Sequence, residues 1–417
     1  MTSSHSAINF IALPGQGFVP AGVLEHFPLE RRSTFRYGSK YLLRPDAIPL
    51  DPVRIPLGET LFQTTPEQSM FNVFRDAAPD KWGRRVLSVM AGARAETMTE
   101  FEVLTAMNPE SRIGGLAFGP DPFSNPKPMA PWYNAEVLSK TSQDLASIAE
   151  YVLILEQTRD EDLTDFTVET PSDDFLKAMA TSLSPVGGAR PKALVSHGRA
   201  LWLAKFPKRG DPWNEPVVEH ATMSLAGQCG ITVPETRILT LAGLDLLLVR
   251  RFARGVGDEP RHMASAFTIG DLAEDGDWKS YQHLAQQARR LGAVDIGEQL
   301  FRRMVFNILC SNTDDHPRNH AFFIHRNRIA LTPAFDIAPN HFRLERYELA
   351  LGCGSRGREA TLDNALSDTG PFGLKQGEAS AIVRDMRNRF QGWREYFAAK
   401  GVSSSDMSEL ELRFIQS

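Results

Sequence analysis

Apolar and polar positions follow one another along this chain in an order that changes character twice. Over residues 1–118, short apolar runs (Ile8 to Leu13, Tyr41 to Leu43) lie between Gly/Pro turns and lead to a polar, helix-like stretch at Pro79 to Met90, which predicts a small α+β domain. Gly119 to Trp132 carries five Pro, a composition that neither donates to a sheet nor continues a helix, and it predicts a linker. Leu145, Ile148, Ala149, Val152 and Leu155 then recur at helical spacing. Lys192 to Val195 and Leu201 to Phe206 read as a hairpin, Pro216 to Cys229 as a helix stopped by Gly230, and Thr236 to Leu241 with Leu244 to Phe252 as a second hairpin.

Beyond Arg254 the period becomes that of amphipathic helices. Tyr281 to Leu291 ends at Gly292, a longer helix runs from about Asp295 to Leu309, and Glu378 to Phe397 is a third. One hairpin interrupts them, Ala321 to Ile324 and Arg328 to Leu331, turning at Arg326-Asn327. A small sheet-rich lobe is therefore followed by a larger helical one, and the divisions expected are 1–130, 131–254 and 255–417.

Composition narrows the function classes. The 417 residues are 42% hydrophobic and 23% charged, ordinary for a folded chain of two or three domains, and the formal charge of −5 supplies no global field to draw in nucleic acid or an anionic membrane. Cys229, Cys310 and Cys353 are too few and too far apart for a disulfide framework or a thiolate zinc site. The expected compartment is the cytoplasm, with no signal peptide and no membrane span.

The densest polar cluster is Ser311-Asn-Thr-Asp-Asp-His-Pro-Arg-Asn-His320, between an apolar helix and a hairpin. Taken alone it reads equally well as a solvated turn with capping side chains. Asp314 and Asn319, however, have the five-residue spacing of a protein-kinase catalytic loop, and the hairpin after them returns Asp336 toward Asn319, where two hard oxygen ligands suit a magnesium ion on ATP phosphates. Upstream, Gly187, Gly188, Ala189 and Arg190 form a turn whose N–H groups can cradle phosphate. Lys205 ends a strand where kinases place a phosphate-contacting Lys, Glu219 lies on the next helix as its partner, and Lys192 is a second phosphate candidate. The strand through Arg250 to Phe252 would serve as the hinge that meets adenine with backbone groups.

Gly187-Gly-Ala-Arg-Pro-Lys192, Lys205, Asn312-Thr-Asp-Asp-His-Pro-Arg-Asn-His-Ala-Phe322 and Phe335-Asp-Ile-Ala-Pro339 together resemble the HipA family of bacterial serine/threonine kinase toxins. Phe74-Arg-Asp-Ala-Ala-Pro-Asp-Lys-Trp-Gly-Arg-Arg-Val86 and Phe372-Gly-Leu extend the resemblance over most of the chain. It implies an α+β, protein-kinase-like two-lobed fold with an added N-terminal domain, ATP and Mg2+ as cofactors, and a toxin role in a toxin-antitoxin module. Asp314 is then the catalytic base, His316 supports the loop, Asn319 and Asp336 bind magnesium, and Lys205 grips the phosphates. The implied partners are a HipB-like helix-turn-helix antitoxin, DNA mainly through that antitoxin, and a protein acceptor such as an aminoacyl-tRNA synthetase.

Two positions depart from the family pattern. Pro185 stands where characterised members carry an autophosphorylated Ser, leaving Ser184 and Ser182 as adjacent candidates, and Arg250 stands where a hinge acid is common. Asp315 receives no role and is expected to be a solvated carboxylate. The rival readings are a metal hydrolase built on Asp314, Asp315, His316 and His320, a kinase-fold scaffold or co-repressor, and a small-molecule kinase.

Overall fold

The computed structural model describes residues 4–91, 97–130, 190–197, 200–241, 243–254, 259–273 and 279–414. The expected helix at 145–155 and the candidates Ser182, Ser184, Gly187, Gly188 and Ala189 lie outside the described residues. The chain divides into two compact units, Met1–Arg209 with Ala253–Ala264, and Gly210–Phe252 with Ser265–Ser417.

In the first unit, β1 (His5–Leu13), β2 (Gly17–Phe27), β3 (Arg32–Tyr37), β4 (Phe62–Gln63) and β5 (Leu116–Gly119) form an antiparallel sheet in the order β4-β3-β2-β1-β5. The β1–β2 register slips after Asn9, so that Asn9 faces Gly22 and Phe10 faces Pro20. A bulge is where a strand tolerates Pro, which has no ladder donor to lose there. Phe10, Phe35, Phe74 and Phe118 fill the core, with ring centroids 5.8 Å apart for Phe35–Phe74 and 5.7 Å for Phe74–Phe118. Burial of rings of this size is the main favourable term in such a core.

The polar stretch read as helical is the helix Lys81–Ala91. Asp80 fixes its start: Oδ1 accepts from Gly83 N at 2.7 Å and the carbonyl from Arg84 N at 2.8 Å. The Pro-rich stretch holds no regular element over residues 120–130 and runs back along its own unit, with Lys127 N donating to Phe118 O (3.1 Å) and Met129 N to Thr105 O (2.9 Å). The same unit contains the hairpin of β6 (Lys192–His197) and β7 (Ala200–Lys205).

The second unit opens with the helix Glu215–Gln228 and the hairpin of β8 (Thr236–Leu241) and β9 (Leu244–Arg250). Helices Tyr281–Arg290, Ile296–Leu309 and Gln376–Gln391 follow, with a hairpin of β10 (Ala321–Ile324) and β11 (Ile329–Leu331). The expected single helix at 378–397 is two, Gln376–Gln391 and Trp393–Ala399, broken at Gly392, because Gly is the weakest helix former after Pro. Leu300, Phe301, Met304, Val305, Phe306 and Ile308 are fully buried, and Phe301 and Phe306 meet Phe372 and Phe390 at 5.4 and 6.0 Å. Gly297 lets this helix touch the turn Gly370–Phe372, since a Cβ there would overlap the Phe372 carbonyl. Among the described residues no helix is long and apolar enough to cross a membrane.

Candidate active site

The helix Ile296–Leu309 delivers the chain to the polar cluster, and Ser311 turns it out of the helix with φ of 53°, a left-handed conformation uncommon outside Gly. The turn is pinned at both ends. Ser311 Oγ donates to Arg413 O (2.6 Å), Ser311 O accepts from Asn340 N (3.0 Å), and Asn340 Nδ2 donates to Thr313 Oγ1 (2.6 Å). Asn340 thereby ties the segment containing Asp336 to the loop containing Asp314.

Asp314 is held by its backbone while its carboxylate is left to solvent. Its N–H donates to Asn312 Oδ1 (3.2 Å) and its carbonyl accepts from Asn319 Nδ2 (2.6 Å), whereas the side chain is 81% exposed. His316 Nε2 lies 3.8 Å from Asp314 Oδ1, and His316 O receives Asn319 N at 2.8 Å in the 3-10 turn Pro317–Asn319. Asn319 is buried, and its Oδ1 has no hydrogen-bond partner. An orphaned buried carbonyl oxygen is rare, because a desolvated acceptor without a donor costs about 1–3 kcal/mol. Asp336 has φ of 59°, the second left-handed residue beside the cluster.

Asp315 differs from the expectation of a solvated carboxylate. It is 1% exposed; Oδ2 accepts from Tyr281 Oη (2.7 Å) and Oδ1 from Ala350 N (2.5 Å). Asn307 Nδ2 donates to Tyr281 Oη (2.9 Å) and Asn312 Nδ2 to Asn307 Oδ1 (3.1 Å), so a buried polar chain runs from the helix Ile296–Leu309 to the backbone N–H of Asp314. Sequence reading took Tyr281 as an apolar helix position and gave Asn307 no role. The available signal was Asn307 itself, an amide inside the apolar run Val305 to Leu309.

The residues of the hydrolase reading do not gather. Asp315 and His320 are turned into the core, with His320 Nε2 3.3 Å from Tyr281 Oη, and the chain at 317–319 is a 3-10 turn leading into β10. Among the described residues no three His, Cys, Asp or Glu side chains converge as metal ligands.

Burial sets the protonation of this core. Desolvation pushes the Asp315 carboxyl up to about 6, opposed by the Tyr281 and Ala350 hydrogen bonds, and pushes His320 down to about 3, helped by the buried Arg303 guanidinium. The folded Asp315 carboxyl thus holds its proton to higher pH than in the unfolded chain. Its contribution to stability declines as pH rises from about 4 to 6 and stays at the lower level above. His320 acts oppositely, removing stability as pH falls below about 6.5. In Asp315→Asn the first dependence is gone and the second remains. The stability of the variant relative to wild type is therefore expected to rise by on the order of 3 kcal/mol between pH 4 and pH 7. Urea unfolding across that range checks this; a difference that stays flat with pH would refute it.

The other predicted residues fall as follows. Glu219 is buried on the helix Glu215–Gln228. Arg250 is exposed at the end of β9, 3.4 Å from Glu235, and Phe252 packs on Phe335 (centroids 5.5 Å) and Phe323 (6.3 Å), so the segment expected as the hinge meets the residue before Asp336. Lys205 closes β7, 5% exposed, and Arg190 stands half-buried just before β6. Lys192 is 1% exposed, with Nζ 2.6 Å from Asp80 Oδ2. That is the environment of a buried ion pair.

Comparison with known proteins places the chain in a family. The HipA-like C-terminal domain model matches residues 184–393, half of the chain. A Haemophilus influenzae protein named as a candidate kinase is 28% identical over 134 residues, which are 28% of this chain and 39% of that one, so the chain spans about two fifths of the curated relative it matches. Among solved structures, HipA of Shewanella oneidensis MR-1, determined with HipB and operator DNA, superposes with a TM-score of 0.64 at 16% identity, covering 97% of this chain and 94% of that one. The Helicobacter pylori proinflammatory kinase CtkA gives 0.35 at 13% identity over 53% of this chain and 94% of that one. The α+β fold is therefore that of HipA, a protein-kinase-like fold, and this chain belongs to the HipA-like C-terminal domain family.

Proposed function

We propose that this protein is an ATP-dependent serine/threonine protein kinase acting as the toxin of a HipBA-like module. The observation that carries the reading is the paired state of Asp314 and Asn319. The first presents an exposed carboxylate on a clamped backbone, and the second donates to that backbone while keeping a buried Oδ1 without a partner. Such an orphaned oxygen fits a hard cation, and Asp336, four residues before the Asn340 that bonds the same loop, would supply a second oxygen ligand. Magnesium bound by Asn319 and Asp336 would neutralise charge on the ATP phosphates.

In this reading Asp314 accepts the proton of an acceptor hydroxyl as that oxygen bonds to the γ-phosphorus and the bond to ADP breaks. Lys205 grips the phosphates, the hinge before Phe252 meets adenine, and His316 with Asn319 keeps the Asp314 backbone in place. The Shewanella relative, solved with HipB and operator DNA, supports a HipB-like antitoxin and DNA as partners; by the resemblance the antitoxin is a helix-turn-helix protein through which DNA is mainly contacted. The resemblance supports an aminoacyl-tRNA synthetase or another translation factor as acceptor.

The test supplies Mg2+ and γ-labelled ATP to the purified chain in a cell extract, followed by phosphoamino-acid analysis of labelled proteins. Label on serine or threonine of a translation protein is expected, and it should decrease when a cognate antitoxin is added. Label confined to small molecules would replace the protein-kinase reading by that of a small-molecule kinase, and no ATP consumption at all would leave a scaffold.

A further inference from the structure

The segment Pro79-Asp-Lys-Trp-Gly-Arg84 has no chemistry assigned by the reading above, although it lies within the motif that marks the N-terminal domain. Its side chains meet β6. Asp80 is fixed at the start of the helix Lys81–Ala91 by Gly83 N on Oδ1, and its Oδ2 lies 2.6 Å from Lys192 Nζ, with the two side chains 5% and 1% exposed. Two residues on, Trp82 Nε1 donates to the Lys192 carbonyl at 3.1 Å. Both ends of Lys192, ammonium and backbone, are thus gripped by one turn of sequence.

Lys192 is the residue directly opposite Lys205 in the β6–β7 ladder. Residues opposite one another in an antiparallel pair share a face, with Cβ atoms about 4.5–5.5 Å apart, and like charges there oppose pairing. Lys205 is itself 5% exposed, so two ammonium groups stand on one buried face. Asp80 offsets the charge of one of them. Phe206 N donating to Pro191 O at 3.0 Å closes the ladder just beyond that pair.

We infer that Asp80, Lys192 and Trp82 form a brace that positions Lys205 for nucleotide phosphate, which makes the N-terminal segment part of the nucleotide-binding machinery. Lys192 is a positioning residue in this arrangement: its charge is committed to Asp80, its carbonyl to Trp82, and its place in the ladder fixes where β7 sets Lys205. The inference rests on the reading of Lys205 as the phosphate contact.

The test measures affinity for trinitrophenyl-ATP with Mg2+ beside thermal melting, using the full chain and four variants: Asp80→Asn, Trp82→Phe, the apolar pair Asp80→Leu with Lys192→Met, and Lys205→Met. Asp80→Asn and Trp82→Phe are each expected to weaken nucleotide binding about tenfold at a temperature where the protein remains folded, as a displaced contact group does. The apolar pair, which removes both charges together, is expected to restore affinity to within about threefold of wild type. A merely structural pair would lower the melting temperature and leave affinity alone, and that result in both single variants overturns the brace. If Asp80→Asn does not fold, Trp82→Phe and the apolar pair decide by the same criterion. Lys205→Met binding nucleotide as well as wild type would instead overturn the reading of Lys205 itself, whereas its loss together with unaffected Asp80→Asn and Trp82→Phe would overturn only the brace.

Discussion

Replacing Asp314 by Asn is expected to reduce phosphoryl transfer by about 10²–10⁴-fold, the usual worth of a positioned general base, with folding and ATP affinity unchanged. The loop geometry is the reason the two effects separate. The Asp314 backbone is held by its N–H donating to Asn312 Oδ1 and its carbonyl accepting from Asn319 Nδ2, so an amide in place of the 81% exposed carboxylate leaves those bonds intact. His316 Nε2, 3.8 Å from Asp314 Oδ1, is too far for a direct hydrogen bond. Single-turnover transfer from labelled ATP, set beside equilibrium binding of the same nucleotide, reads both quantities. Transfer within threefold of wild type would remove Asp314 from the chemistry; loss of binding in parallel with transfer would make it a nucleotide contact.

Asp336→Gly should separate activity from stability in a different way. Asp336 holds φ of 59°, a left-handed conformation that costs a residue with a Cβ on the order of 1–2 kcal/mol and Gly almost nothing. Removing the carboxylate takes away a proposed magnesium ligand, and transfer is expected to fall by about 10²–10³-fold, as when a group that stabilises developing charge is deleted. The backbone at this position is expected to be relieved, so the melting temperature should stay within about 5 °C of wild type. Calorimetry and a Mg2+ titration of transfer rate check the pair of outcomes. A variant that unfolds would show that the carboxylate is structural, and one that remains active at ordinary Mg2+ would exclude it as a ligand.

Much of this site was legible before any coordinates. The five-residue spacing of Asp314 and Asn319 and the hairpin after them are local properties, and alternation with turn residues was enough to find them. The structure joins Asp314 and Asn319 directly at 2.6 Å and ties Asn340 to Thr313. Asp315 was misread for a physical reason. A carboxylate beside another carboxylate in a polar loop looks solvated, and only the approach of Tyr281 and the Ala350 N–H, 34 and 35 residues away, makes its burial tolerable. Lys192 was a phosphate candidate in the sequence, while the carboxylate its ammonium meets, Asp80, lies 112 residues upstream.

The sequence by itself determined the elements: the two hairpins around the helix Glu215–Gln228, the buried helix into the polar cluster, the hairpin β10–β11, and the identity of the loop residues. Those follow from periodicity and turn chemistry, which act over a few residues. Tertiary structure alone decided which of the charged side chains meet solvent and which meet one another. It left Asp314 exposed, withdrew Asp315 into a polar chain with Tyr281 and Asn307, orphaned Asn319 Oδ1, and closed Lys192 on Asp80. The reason is that the state of a carboxylate or an ammonium depends on desolvation and on partners brought from distant segments, and neither quantity is encoded in the neighbouring residues of the chain.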